Sequence, residues 1–182
     1  PNTDISGDVD INFPRFLLQQ TRFRGNLILT KNGGGNDSSP GGCTFDGNVT
    51  ITNPSSGQVV FSNSIADIYN GNVTISNSGN TIFYLAHNNP GSQFNGNIVL
   101  NSTGTSQGIR FGQGTGTASL ANGRTIQIGV SGFNVGSLRI RNLTQLGNTA
   151  QTLTTTGTGT QIFFETGNIF NGNVVATAPQ IL

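Results

Sequence analysis

The stretch Tyr69-Asn70-Gly71-Asn72-Val73-Thr74-Ile75-Ser76 joins an aromatic residue to an Asn-Gly-Asn corner, and then to a short run alternating apolar and polar side chains. The phrase returns as Phe45-Asp46-Gly47-Asn48-Val49-Thr50-Ile51-Thr52, as Phe94-Asn95-Gly96-Asn97-Ile98-Val99-Leu100 and as Phe170-Asn171-Gly172-Asn173-Val174-Val175. A looser copy is Phe23-Arg24-Gly25-Asn26-Leu27-Ile28-Leu29. The aromatic residues are spaced 22, 24 and 25 residues apart from Phe23 to Phe94, and the 76 residues to Phe170 hold three more such steps. Degraded copies at Leu120-Ala121-Asn122-Gly123 and Leu146-Gly147-Asn148 fall where those steps require. Alternation of period two is a strand signal, and self-similarity at a period of about 20–50 residues marks a solenoid.

A second strand lies halfway through most units, as in Gln58-Val59-Val60-Phe61-Ser62, Thr81-Ile82-Phe83-Tyr84-Leu85 and Gly136-Ser137-Leu138-Arg139-Ile140-Arg141. A short third strand completes the coil. The expected fold is therefore all-β, a right-handed parallel β-helix of about 24–25 residues per coil and about six to seven coils. Residues 1–22 read as a lead-in outside the repeat. Residues 23–182 read as the solenoid, continuing into a longer polypeptide. Val49 and Ile51, Val73 and Ile75, Ile98 and Leu100, and Ile126 and Ile128 should face inward and stack at the ~4.8 Å strand spacing. Phe23, Phe45, Tyr69, Phe94 and Phe170 are expected to stack at one corner, and Asn26, Asn48, Asn72, Asn97 and Asn173 to form an amide ladder beside them. Glycine in the corner is expected to supply positive φ, which Asn tolerates next best.

Composition sharpens this. Gly is 27 of 182 residues and charged residues are 8%, a balance that could suggest disorder, but twelve Phe and alternating aliphatics oppose it. Eight Lys+Arg against seven Asp+Glu, scattered along the chain, give no basic face for nucleic acid. No apolar run approaches the ~18–20 residues of a membrane-spanning helix. Cys43 is the single cysteine, so no disulfide forms within the chain.

Candidate chemistry is sparse. Asp4, Asp8 and Asp10 lack the glycine and further acids of a calcium loop, and read as a solvated strand face. Polysaccharide cleavage needs paired carboxylates, whereas Asp37, Asp46, Asp67 and Glu165 belong to different units. Arg139 and Arg141 have no acidic neighbour in sequence. His87 is the only histidine, and the Gly-rich runs lack the Gly-Lys-Ser/Thr ending of a phosphate cradle. No catalytic residue, cofactor or metal is expected. Asn36, Asn48, Asn72, Asn101 and Asn142 are Asn-X-Ser/Thr sequons, which matter in a eukaryotic source. Threonine rows at Thr50-Ile51-Thr52 and Thr74-Ile75-Ser76 suggest an ice-binding face but break at Val99 and Asn101.

The Phe-Asn-Gly-Asn-Val-x-Ile phrase, with Gly123-Arg124-Thr125-Ile126 and Leu138-Arg139-Ile140-Arg141-Asn142-Leu143, resembles repeat regions of giant secreted surface adhesins of Bacteroidetes type. Those are exported by type IX secretion, and some are linked to gliding. Autotransporter passenger domains are similar but weaker matches. The resemblance, over about residues 23–182, implies an extracellular stalk or attachment surface rather than an enzyme. It implies neighbouring repeats as partners, with surface glycans or the export machinery beyond them. A polysaccharide-binding or -cleaving solenoid is the main alternative, and an ice-binding solenoid a further one.

Overall fold

The computed structural model describes residues 3–181; Pro1, Asn2 and Leu182, the outermost residues of the two expected segments, lie outside the described residues. Among the described residues every regular element is a β-strand. Strands of successive turns pair in parallel, building a β-solenoid of about six turns with roughly 24 residues per turn. Three sheets form its walls.

The first sheet contains Thr3–Ile5, Thr21–Phe23, Thr44–Phe45, Ile68–Tyr69, Ser92–Phe94, Ala118–Leu120 and Leu143–Gln145 in spatial order. The second runs from Val9–Phe13 through Leu27–Lys31, Val49–Asn53, Val73–Asn77 and Ile98–Ser102 to Ile126–Phe133. Gln151–Thr154 and Val174–Thr177 form a separate parallel pair. The third sheet holds Asp37–Ser38, Val59–Val60, Ile82–Leu85, Gly108–Phe111, Ser137–Ile140, Gln161–Phe164 and Gln180–Ile181.

The lumen follows from alternation. Val49, Val73, Ile98 and Ile126 share one column, and Ile51, Ile75, Leu100 and Ile128 the next. All but Ile128 are buried, and Ile128 packs against the core at its edge. At about 25 cal/mol per Å² of apolar surface removed from water, such rows stabilise only as a stack, since one turn alone exposes both rims.

The lead-in belongs to the solenoid. Ile5 pairs with Phe23 and Val9 with Leu27, so residue 22 is no structural boundary. From Pro14 to Gln20 the chain forms neither strand nor helix, yet Phe16 and Leu18 are buried against the third wall. The copy centred on Leu146 is offset by one residue. Gln145 pairs with Leu120, while Leu146 is 61% exposed.

The glycines of the five Gly-Asn corners, Gly25, Gly47, Gly71, Gly96 and Gly172, do not serve positive φ; only Gly123 in the degraded copy does, at 76°. That conformation recurs at Ser62 (56°), Ala86 (49°), Gly112 (61°) and Asn142 (53°), where the third sheet turns into the first. Gly47, Gly71 and Gly96 are absent from the positive-φ set, but a Cβ on each would overlap the carbonyl oxygen of Gly25, Gly47 and Gly71 on the preceding turn. Close approach between turns, not backbone handedness, requires glycine there.

Candidate functional site

At the Asn-Gly-Asn corner the side-chain oxygens of Asn26, Asn48 and Asn72 accept from the backbone N–H of Asn48, Asn72 and Asn97 at 3.0, 3.0 and 2.9 Å. Asn97 in turn accepts from Thr125 N–H at 3.0 Å, and Asp8 heads the column by accepting from Asn26 N–H at 2.6 Å. These contacts run from side chain to backbone. The amide-to-amide column is the neighbouring one, where Asn70 donates to Asp46 and Asn95 to Asn70, each at 2.9 Å. Asn173 is exposed, and its backbone carbonyl accepts from Gln151 N–H at 2.8 Å.

The aromatic stack is continuous over four turns. Phe23–Phe45, Phe45–Tyr69 and Tyr69–Phe94 have centroids 5.3, 4.9 and 4.8 Å apart and rings within 12° of parallel. Leu120 and Gln145 then occupy the column, so Phe170 is cut off from it and lies edge-on to Phe164 at 5.9 Å.

Polar groups also enter the lumen, at places the repeat alone did not mark. Asn53 donates to Asn77 Oδ1 at 3.1 Å, and Asn77 donates to Thr81 O, Ser106 Oγ and Gly108 O at 2.8–3.1 Å. One turn earlier, Lys31 lies fully buried with Nζ 2.9 Å from Asp37 Oδ2 and 3.0 Å from Pro14 O. Arg15 Nε reaches the other Asp37 oxygen at 3.0 Å. The side-chain carbonyl of Gln151 accepts from Ile126 N–H at 2.8 Å, standing in for backbone where the second sheet is interrupted.

A third cluster surrounds Asp67. Its carboxylate accepts from Cys43 N–H at 2.8 Å and from Ser62 Oγ at 2.7 Å, and Ser92 Oγ donates onward to Ser62 at 3.0 Å. Burial outweighs these bonds and pushes Asp67 up to about 6. Burial likewise raises the Cys43 thiol to about 11, which keeps it protonated. Tyr69 Oη is enclosed nearby without a hydrogen-bond partner.

On the outer surface of the third sheet Tyr84, Arg110, Arg139 and Phe163 succeed one another in register on four consecutive strands. Arg110 lies over the Tyr84 ring at 5.7 Å and donates to Gln113 at 2.6 Å. Arg139 lies over Phe163 at 3.8 Å and donates to Glu165 at 3.0 Å, supplying the acidic neighbour that sequence adjacency lacked. His87 meets Tyr84 edge-on at 4.9 Å. Burial, with the Arg110 charge, holds it below the usual histidine range. Arg141 follows directly after the strand that carries Arg139, which ends at Ile140.

The other outward columns are mixed. Asp10, Ile28, Thr50, Thr74, Val99 and Gln127 share one on the second sheet, so its threonine row spans only two turns. Among the described residues no group of three or more His, Cys, Asp or Glu could hold a metal ion. Four of the seven carboxylates bind exposed or half-exposed arginines: Asp4 with Arg24, Asp37 with Arg15, Asp46 with Arg22, and Glu165 with Arg139. No family model, curated protein or solved structure matches the chain.

Proposed function

We propose that the chain is a structural and adhesive repeat segment of a large secreted bacterial cell-surface protein, serving as stalk or attachment surface. The observation that carries this reading is the rung-to-rung tying of every turn. Backbone ladders, the asparagine column and the aromatic stack all run along one axis. Parallel hydrogen bonds aligned with the axis make a stiff rod, about 30 Å long at ~4.8 Å per turn. Nearest-neighbour stacking lets such a rod be lengthened by adding units without a new core. The walls offer flat surfaces on which a few outward side chains recur at fixed spacing.

Antibody raised against the 182-residue chain tests the reading on cells that make the parent protein. Labelling of intact cells, and loss of attachment when the coding segment is deleted in frame, are the expected results. Labelling only after permeabilisation would overturn it.

A further inference from the structure

We infer that the outer surface of the third sheet binds a carboxylate-bearing polysaccharide through Arg110 and Arg139. The two arginines are direct register partners on adjacent parallel strands. Like charges placed directly opposite one another destabilise a sheet. The protein holds them by turning each guanidinium onto a different ring, Arg110 onto Tyr84 and Arg139 onto Phe163. With Glu165 as the facing acid, the Arg110–Arg139 pair keeps one net positive charge, as much as the formal +1 of the whole chain. The Nε of Arg110 is enclosed without a hydrogen-bond partner, so the Tyr84 ring and Gln113 rather than an acid hold this side chain.

The ligand class follows from what is beside the charges. Glu165, 3.0 Å from Arg139 Nη1 and only partly exposed, already displays a carboxylate in the position a ligand would take. Gln113, Ser137 and Gln161 flank the arginines on the same wall and suit sugar hydroxyls. Duplex DNA, with about one charge per 1.7 Å of axis, calls for a longer run of cations than this pair. A sugar polymer with an acid on some of its residues matches sparse arginines in a polar surround. A column that advances about 4.8 Å per turn lets one extended chain meet successive rungs.

This assignment rests on the attachment reading above and names its ligand. The test measures binding of the intact chain to polygalacturonate, with dextran, dextran sulfate and single-stranded DNA as comparison probes. Polygalacturonate should bind in preference to the other three and weaken as salt is added. R110Q and R139Q should each weaken it about tenfold or more, as expected for loss of a hydrogen bond to a charged group. E165Q should tighten it several-fold by freeing Arg139, a gain that misfolding cannot produce, and circular dichroism checks that each variant keeps its strands. No binding at millimolar polymer, equal binding to dextran, stronger binding to dextran sulfate or DNA, or an E165Q variant no tighter than the parent would each overturn the assignment. Loss of the ligand with antibody still labelling intact cells removes only this assignment; labelling confined to permeabilised cells removes the attachment reading itself.

Discussion

Asp67 makes the solenoid less stable as the solution becomes neutral. Its carboxyl titrates near 6 in the folded protein because burial disfavours the charge. In the unfolded chain an ordinary aspartate titrates near 3.9, so the shift of about two units corresponds to about 3 kcal/mol at 1.36 kcal/mol per unit. A raised folded pKa means the contribution is fully present below about pH 4 and is lost as pH rises through about 6. Roughly 2 kcal/mol of that loss falls between about pH 4.5 and 7.5. Asp67→Asn removes the titration while keeping an oxygen for Cys43 N–H. The assay is urea unfolding across that range, followed by tyrosine fluorescence in a Tyr84→Phe background so that Tyr69, two residues from Asp67, is the reporter. Asp4 and Asp46 act with the opposite sign, since arginine hydrogen bonds hold their carboxyls below the usual range, and their contribution is lost only as pH falls below about 4. His87, held low by burial and by Arg110, also loses stability toward acid, below about pH 6.5. The difference between parent and variant cancels both. Parallel pH profiles for the two proteins would refute the reasoning.

Four further outcomes are expected. Tyr69→Phe should raise the urea midpoint, by about 1 kcal/mol or slightly more, because it removes an enclosed hydroxyl that has no partner. Lys31→Met should cost about 3 kcal/mol by leaving Asp37 buried with only the exposed Arg15 opposite, and adding Asp37→Asn should recover part of that loss in a double-mutant cycle. Gly71→Ala should cost at least about 2 kcal/mol, seen as a lowered thermal midpoint, since its Cβ must push the Gly47 carbonyl away. Asn77→Ala, which strands several buried partners, should lower the thermal midpoint well beyond Asn72→Ala, whose exposed rung water can satisfy at about 1 kcal/mol.

The period and the inward aliphatic rows were legible because each copy of Val-x-Ile repeats the same demand at nearly the same spacing. The first turn was not, although its signal is present. Ile5-Ser6-Gly7-Asp8-Val9-Asp10-Ile11 aligns with Phe45-Asp46-Gly47-Asn48-Val49-Thr50-Ile51, with Asp8 doing the work of the asparagine. A step of only 18 residues from Ile5 to Phe23, with isoleucine in the aromatic place, hid it. The buried asparagines were equally readable in principle, since Asn53 and Asn77 close two successive strands at the same register position. The corner asparagines recur in more copies and so give the stronger signal. Phe170 shows the opposite failure: its motif is intact, but Leu120 and Gln145 in the turns between remove its stacking partners. The arginine column lay beyond sequence reach, because Tyr84, Arg110, Arg139 and Phe163 become neighbours only once the turn length of each intervening loop is known.

The polar groups in the lumen answer a problem that a repeat creates for itself. Val49, Val73, Ile98 and Ile126 are close to interchangeable, so aliphatic rows alone would accept a chain slipped by one whole turn. Lys31 with Asp37, Asp67 with Cys43 and Ser62, and Gln151 with Ile126 are each satisfied in one register only. A slip would leave a buried charge or amide without its partner, a cost of several kcal/mol for a charge and about 1–3 for a neutral group. At Asp67 burial disfavours the charged carboxylate and raises its pKa, a penalty that an apolar residue in its place would not carry. The placement of these groups on different turns means that any slip of the stack violates at least one of them. Register in this solenoid is therefore set by the few inward residues that break the repeat, and stability by the many that keep it.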